Sequence, residues 1–335
     1  MRAMLLESAK PAEKSPLVPR DLPAPEPGAG EVRVRVSCCG LCHTDLHTVE
    51  GDLPLPKLPL VPGHQVVGVV EAVGAGARRF REGDRVGIPW LHWTCGQCDY
   101  CRRGQENLCD RARFTGYHVD GGYAESAVVG EEFACSVPSA FDDAHAAPLL
   151  CAGIVGYRSL RLSGARPGQR LGLYGFGASA HIVLQCARHV GCEVWVFTRS
   201  REHQELATKL GAAWVGAAGE EGSGKAGQLD SAIIFAPAGG LVPQALAALR
   251  KGGTLALAGI TMSPIPQLDY ASLYQERVVR SVANATREDA RQFLELAAAV
   301  PVRTEVQMFD LEQANAALAA MKASKVAAAG VLRVG

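Results

Sequence analysis

From residue 170 the chain alternates short apolar runs with stretches of helical period. "RLGLYGF" (170 to 176) precedes the helical pattern "ASAHIVLQCARHVG", and "CEVWVFT", "REHQELATKLGA", "AAWVGA", "LDSAIIFAPA", "LVPQALAALRKGG", "TLALAGI" and "RVVRSVAN" follow in order. Apolar runs without polar alternation are strands covered on both faces, and helices of about 10 to 14 residues between them are the crossovers a parallel sheet requires. The six runs predict an α/β architecture, a six-stranded parallel sheet of Rossmann type over residues 152–285.

Residues 1 to 151 have a different texture. "EVRVRVSCCG" (31 to 40) alternates polar and apolar residues as a half-buried strand does, and "HQVVGVVEAVG" and "GDRVGIPW" read as further strands punctuated by Gly and Pro. The Pro-rich "PRDLPAPEPGAGE" reads as a surface linker between early strands. With 335 residues the chain is long enough for two domains, and residues 286–335 are expected to complete the first. Thirty-four basic and 34 acidic residues balance, which argues against nucleic acid or an anionic membrane as the main partner. No apolar run approaches the ~18 residues of a membrane span. The N-terminal "MRAMLLESAKPAEK" is too soon charged for a signal peptide, so a cytoplasmic location is expected.

"LYGFGASAH" places Gly175 and Gly177 between the first strand and its helix, with Ala180 at the third position of the fingerprint. One glycine makes the tight turn, the next lets backbone approach a pyrophosphate, and the helix N-terminus supplies free N–H groups. Gly175, Phe176, Gly177 and Ala178 are therefore the expected dinucleotide loop. A site for NAD wants an acid at the end of the second strand, about 20 residues on. This chain has Thr198 and Arg199 there; Glu193 lies at the wrong end of the strand and Glu202 too far into the next helix. A hydroxyl and an arginine suit a 2′-phosphate, which favours NADP over NAD.

Eleven cysteines make an odd set for a disulfide framework, and their clustering points to metal or catalysis. "CGQCDYCRRGQENLC" spaces Cys95, Cys98, Cys101 and Cys109 so that four thiolates could close a tetrahedral zinc shell. An iron–sulfur cluster is the weaker alternative, since the last cysteine comes late and without the proline of ferredoxin-type runs. Upstream, "CGLCHTDLH" brings Cys42, His43, Thr44, Asp45 and His47 together, and His64 follows in "LPLVPGHQVVGVV". A thiolate and an imidazole suit zinc, and a catalytic zinc needs three protein ligands; Cys151, at the domain junction, is placed to be the third.

In that order, "CGLCHTDLH", "VPGHQVVGVVEAVG", "GDRVGIPW", the four-cysteine loop, "CAGIVGY" and "GFGASAH" resemble the zinc-dependent medium-chain alcohol dehydrogenases over essentially the full length. The resemblance implies a partly barrel-like (GroES-like) β catalytic domain, a Rossmann domain and an active site in the cleft between them. It implies two zinc ions per chain: a catalytic one on Cys42, His64 and Cys151, and a structural one on Cys95, Cys98, Cys101 and Cys109. By the same resemblance Thr44 bonds the substrate oxygen, His47 ends a proton relay through the cofactor ribose, His43 lies near the pyrophosphate, and Asp45 orients His64. The chemistry agrees. Hydride leaves an alcohol most readily from its alkoxide, an anion zinc stabilises, and the nicotinamide carries the hydride.

The family usually has Glu where this chain has Gln65, behind the metal. Glutamine keeps the shape and drops the charge, so the metal is expected to be a stronger Lewis acid. "GIPWLHWTCG" and "FTGYHVDGGYAE" resemble pocket loops, with Trp90 and Tyr117 narrowing a site for short aliphatic or benzylic primary alcohols and their aldehydes. A homo-oligomer, dimer or tetramer, is implied as well. The main alternative is a non-catalytic zinc protein that holds a nicotinamide dinucleotide as a structural or regulatory ligand. A zinc-free reductase of activated double bonds on the same fold is disfavoured by the cysteine loop.

Overall fold

Valine alternating with arginine over residues 32–36 gives a strand with one buried face: Val32, Val34 and Val36 are buried, and Arg35 is exposed. The computed structural model describes residues 1–220, 228–326 and 329–335. It divides into one unit of Met1–Ala152, Asn284–Ala298 and Arg303–Gly335, and a second of Gly153–Ala283 and Ala299–Val302. No helix among the described residues is long and apolar enough to cross a membrane.

The first unit begins with β1 (Arg2–Leu6), β2 (Leu17–Asp21), β3 (Glu31–Gly40), α1 (His43–Glu50), β4 (Gln65–Val73) and β5 (Arg85–Ile88). It continues with β6 (Leu91–Trp93), α2 (Asp99–Arg102), β7 (Arg113–Phe114), β8 (Ser126–Gly130), β9 (Cys135–Ser136) and α3 (Asp143–Ala146). Helix α4 (Ala152–Ser163) leads into the second unit: β10 (Arg170–Tyr174), α5 (Ala178–His189), β11 (Glu193–Phe197), α6 (Arg201–Lys209) and β12 (Trp214–Gly216). There follow β13 (Leu229–Ile234), α7 (Leu241–Ala248), β14 (Leu249–Leu257) and β15 (Val278–Ser281). The chain ends with α8 (Arg287–Ala299), β16 (Val306–Asp310), α9 (Ala314–Lys322) and β17 (Ala329–Arg333).

In the first unit a seven-stranded mixed sheet runs β16-β17-β3-β4-β5-β9, with β8 also paired to β3. Its core joins the valines of β3 to Val66, Val70, Val86, Ile88, Val129 and Phe133. The alternation of β3 fails at its end, where Cys38, Cys39 and Gly40 are all buried and the register against β4 shifts between Val36 and Cys38. A bulge of this kind re-aims the strand. It leaves Gly40 opposite Gln65, so Cys42, two residues beyond one strand, faces His64, immediately before the other.

In the second unit the sheet runs β12-β11-β10-β13-β14-β15, all parallel, the order of a doubly wound dinucleotide fold. Leu171, Leu173, Val196, Ile233 and Ile234 are fully buried, as strands covered on both faces must be. One sequence expectation needs correction. The helix read through "LVPQALAALRKGG" stops at Ala248, because Leu249 is buried and pairs with Leu229 as the first residue of β14. The link from β14 to β15, for which the sequence offers no helical pattern, holds a short 3-10 turn, Tyr270–Ser272.

Candidate active site and metal centres

Cys42 is the N-cap of α1, its sulfur accepting from the Thr44 N–H at 3.5 Å. Asp45, at the third helical position, reaches back to accept the Cys42 N–H at 2.9 Å and completes a capping box. Its other oxygen bonds His64 Nδ1 at 2.9 Å, which leaves Nε2 to face the sulfurs. The Cys42 and Cys151 sulfurs are 3.8 Å apart, and His64 Nε2 is 3.3 Å from Cys151 Sγ. All three ligand atoms lie within 4.8 Å of one another. Tetrahedral zinc with Zn–S of about 2.3 Å sets two sulfurs about 3.8 Å apart, so the donor set fits that ion in spacing and softness. The Cys151 thiol, against the burial that opposes it, holds the Cys42 thiol well below its ordinary range, with His64 also lowering it. Burial would push His64 down, but the Asp45 charge and hydrogen bond outweigh it and raise the imidazole to about 10.

Thr44 is buried one residue from Asp45, its hydroxyl 3.6 Å from the Cys42 sulfur. His47 lies one turn along α1 with Nδ1 2.9 Å from Asp52, while His43 is exposed at the start of the helix. Gln65 is buried, its amide folded over the α-carbon of Gly40. The Trp90 ring meets His64 edge-on at 4.6 Å between centroids and stacks on Phe114 at 5.0 Å. Tyr117 lies 5.8 Å from Trp90, its hydroxyl bonded to the Pro54 carbonyl. Sequence reasoning passed over Tyr123. Its phenol donates to Asp45 at 3.3 Å, and burial, with Asp45 nearby, pushes its pKa well up, which keeps it a protonated donor.

Cys95, Cys98, Cys101 and Cys109 also converge with ligand atoms within 4.8 Å. The Cys98 and Cys101 sulfurs are 3.5 Å apart and those of Cys95 and Cys101 3.9 Å, again the spacing of a tetrahedral thiolate shell. The Gln97 N–H and, against some burial, the Cys98 N–H and Arg111 lower Cys95 to about 5. Between Cys101 and Cys109, Glu106 takes the Arg287 side chain at 2.7 Å and the Arg287 backbone N–H at 2.8 Å. No local pattern announces that pair, which is 181 residues apart in sequence.

In the second unit Gly175 adopts φ +86°, and a Cβ there would sit 2.9 Å from Ala236, so the turn after β10 requires glycine. Gly177 is the N-cap of α5 and Ala178 its first residue, which aims the first N–H groups of α5 at the loop. Phe176 is buried, its ring edge-on to His203 at 6.4 Å. Thr198 immediately follows β11, its carbonyl accepting from Gln204 at 2.8 Å; Arg199 is exposed beside it, and Ser200 caps α6. Glu193 opens β11 at the opposite end, bonded to Arg170 and Trp195.

Residues 28–139 match the alcohol dehydrogenase GroES-like domain, and residues 180–299 match the zinc-binding dehydrogenase domain. A probable alcohol dehydrogenase, AdhA, of Mycobacterium tuberculosis is 48% identical over 340 residues, covering 100% of this chain and 97% of that protein. The chain belongs to the zinc-dependent medium-chain alcohol dehydrogenase family. An alcohol dehydrogenase of Geobacillus stearothermophilus is 37% identical over 342 residues, 100% of both chains. The solved structure of a cinnamyl alcohol dehydrogenase from Sorghum bicolor superposes with a TM-score of 0.90 at 28% identity, covering 99% of this dehydrogenase and 97% of that chain. The dehydrogenase is thus an oxidoreductase of small alcohols and aldehydes that uses zinc and a nicotinamide dinucleotide. These matches set aside the reading as a non-catalytic zinc protein.

Proposed function

We propose that this dehydrogenase interconverts short aliphatic or benzylic primary alcohols with their aldehydes, using NADP(H) in preference to NAD(H) and two zinc ions per chain. The convergence of Cys42, His64 and Cys151, with His64 Nδ1 already engaged by Asp45, carries the reading. These three residues would hold the catalytic ion, and Cys95, Cys98, Cys101 and Cys109 a structural one. Zinc at the first set supplies a Lewis acid for negative charge on the substrate oxygen. A nicotinamide dinucleotide held by the second unit would supply the hydride acceptor.

The chain's own residues handle position and protons. Thr44, buried at the start of α1, would bond the substrate oxygen and take its proton while passing its own hydroxyl proton on toward His47, so that hydride leaves from the alkoxide. His47, tethered through Nδ1 to Asp52, passes that proton to solvent. Trp90 and Tyr117 form an aromatic wall beside His64 that suits small or flat substrates. Gly175, Phe176, Gly177 and Ala178 cradle the pyrophosphate, with His43 a further contact to it, and Thr198 and Arg199 receive the 2′-phosphate. A homo-oligomer is the assembly proposed. Strand β15 ends its sheet, and Tyr270, Tyr274 and Val278 are exposed near or on it, an apolar edge that a second copy would cover.

Initial rates of acetaldehyde and benzaldehyde reduction with NADPH and with NADH test the reading. A chelator-sensitive rate that prefers NADPH is expected. A preference for NADH removes the assignment of Arg199. No rate with either cofactor, on protein holding two zinc ions per chain, removes the substrate assignment.

A further inference from the structure

Residues 121–123 and 61–63 run side by side. The Gly121 N–H bonds the Val61 carbonyl at 2.7 Å, the Gly122 N–H bonds Gly63 at 2.9 Å, and the Tyr123 N–H bonds Pro62 at 3.0 Å. Gly63, with φ +98°, immediately precedes His64. A Cβ built on it would lie 2.3 Å from Tyr123 Cδ1 and 2.7 Å from Cε1, so the edge of the tyrosine ring packs directly against Gly63. The far end of the same side chain donates its hydroxyl to Asp45 Oδ2 at 3.3 Å. Asp45 is the residue that holds His64 Nδ1, and it is fully buried, as are Tyr123 and His64.

We infer that Tyr123 is a positioning residue for His64: its ring fixes the backbone before the imidazole, and its hydroxyl anchors the carboxylate that orients the imidazole. The Asp45 carboxylate takes three donors: the Cys42 N–H and the His64 ring N–H, at 2.9 Å each, and the Tyr123 hydroxyl. The first belongs to the cap of α1 and the second to the group being positioned. The hydroxyl, from a segment paired with the one that leads into His64, is the donor that ties the carboxylate to a third part of the chain. Without it Asp45 keeps its place in the cap, but the imidazole swings with α1. An imidazole held less firmly gives up a metal ion sooner, and the ligand field it offers changes.

The inference rests on Cys42, His64 and Cys151 being the catalytic zinc ligands, and its test separates the two. Tyr123→Phe removes one oxygen and leaves the ring on Gly63. With cobalt exchanged into the catalytic site of the holoenzyme, the variant is expected to show shifted visible d–d bands. Loss of that ion to a chelator should be about fivefold faster, the scale of one long hydrogen bond to a charged group, with the four-thiolate site unchanged. Unchanged bands and release rate, or slower release, would overturn the inference. A fluorinated tyrosine placed at 123 strengthens the donor and retains the ring, so slower release is expected there. It decides the matter if the phenylalanine variant does not fold, and no change in release would overturn the inference. Cys151→Ser serves as the control. If it keeps both metals, the ligand assignment fails and the inference with it; if it loses one while Tyr123→Phe matches wild type, the inference alone fails.

Discussion

Breaking the link between Arg287 and Glu106 should loosen the four-cysteine loop and leave the Cys42–His64–Cys151 set alone. Glu106 opens the 3-10 turn Glu106–Leu108 that delivers Cys109, whose N–H bonds the Glu106 carbonyl at 3.1 Å. Arg287 contacts the carboxylate through Nε at 3.0 and 3.1 Å and through a terminal nitrogen at 2.7 Å, reaches Glu132 at 3.1 Å, and lies 4.6 Å from the Phe133 ring centroid. Arg287→Met keeps an aliphatic chain over Phe133 and removes the charged contacts. Stranding one partner of a fully buried pair costs about 3–5 kcal/mol, and an exposed pair is worth about 0–1 kcal/mol. Here the carboxylate side chain is 10% exposed and the arginine 39%, and Glu106 keeps the residue-287 backbone N–H. The loss is therefore intermediate, about 2 kcal/mol, or roughly 30-fold in the opening of the loop. The assay is zinc release from the holoenzyme into excess chromophoric chelator. One phase should quicken roughly 30-fold and the other stay put, with Arg287→Lys between wild type and methionine. Two unchanged phases, or two phases quickened equally, would refute the reasoning, because the pair would then be idle or would act on the whole unit.

Further outcomes follow from single side chains. Burial and, to a lesser degree, the Arg113 charge push His92 down to about 4. Between there and the free value of ~6.5 the unfolded chain binds a proton that the folded chain does not. Stability therefore rises with pH across this window and is lost as pH falls from about 6.5 toward 4, by up to about 3 kcal/mol, and His92→Gln should flatten that loss in denaturant titrations at pH 7 and 5. Arg199→Ala should lower the ratio of kcat/KM for NADPH over NADH about tenfold, the worth of one exposed charge-assisted contact to phosphate. Gln65→Glu restores a buried negative charge behind the proposed metal and should move the pH–rate profile to higher pH; an unmoved profile would show that the amide is neutral to catalysis.

Much of this architecture is written locally and could be read from the sequence. The six parallel strands announce themselves because both faces are covered, which forces runs such as "AIIF" and "VWVF". The thiolate loop is equally legible, since four ligands within fifteen residues leave a spacing that chance rarely makes. Helix ends are harder. At Ala248 the helical pattern continues, but the burial of Leu249 against β13 overrides it, a tertiary effect that no periodicity carries. The supports of the site are least legible. Tyr123 meets Asp45 across 78 residues and Arg287 meets Glu106 across 181, and neither pair leaves a pattern in its own neighbourhood.

One carboxylate also explains why the proposed zinc ligands Cys42 and His64 and the residues of α1 come as a set. Asp45 caps α1 through the Cys42 N–H and holds His64 with its other oxygen. The same buried group therefore fixes where the helix begins, how the Cys42 sulfur is presented, and which imidazole nitrogen faces that sulfur. Thr44 and His47 ride on this helix, so their place relative to His64 is set by the capping box and not by loop geometry. The β3 bulge and the pairing of Gly40 with Gln65 fix the other half, bringing Cys42 and His64 together although 22 positions separate them. A side chain at Asp45 that could cap but not accept twice would keep the helix and lose the register between its residues and His64. The Cys42–His64 half of the site is thus specified by the strand register and by one buried acid that Tyr123 in turn anchors.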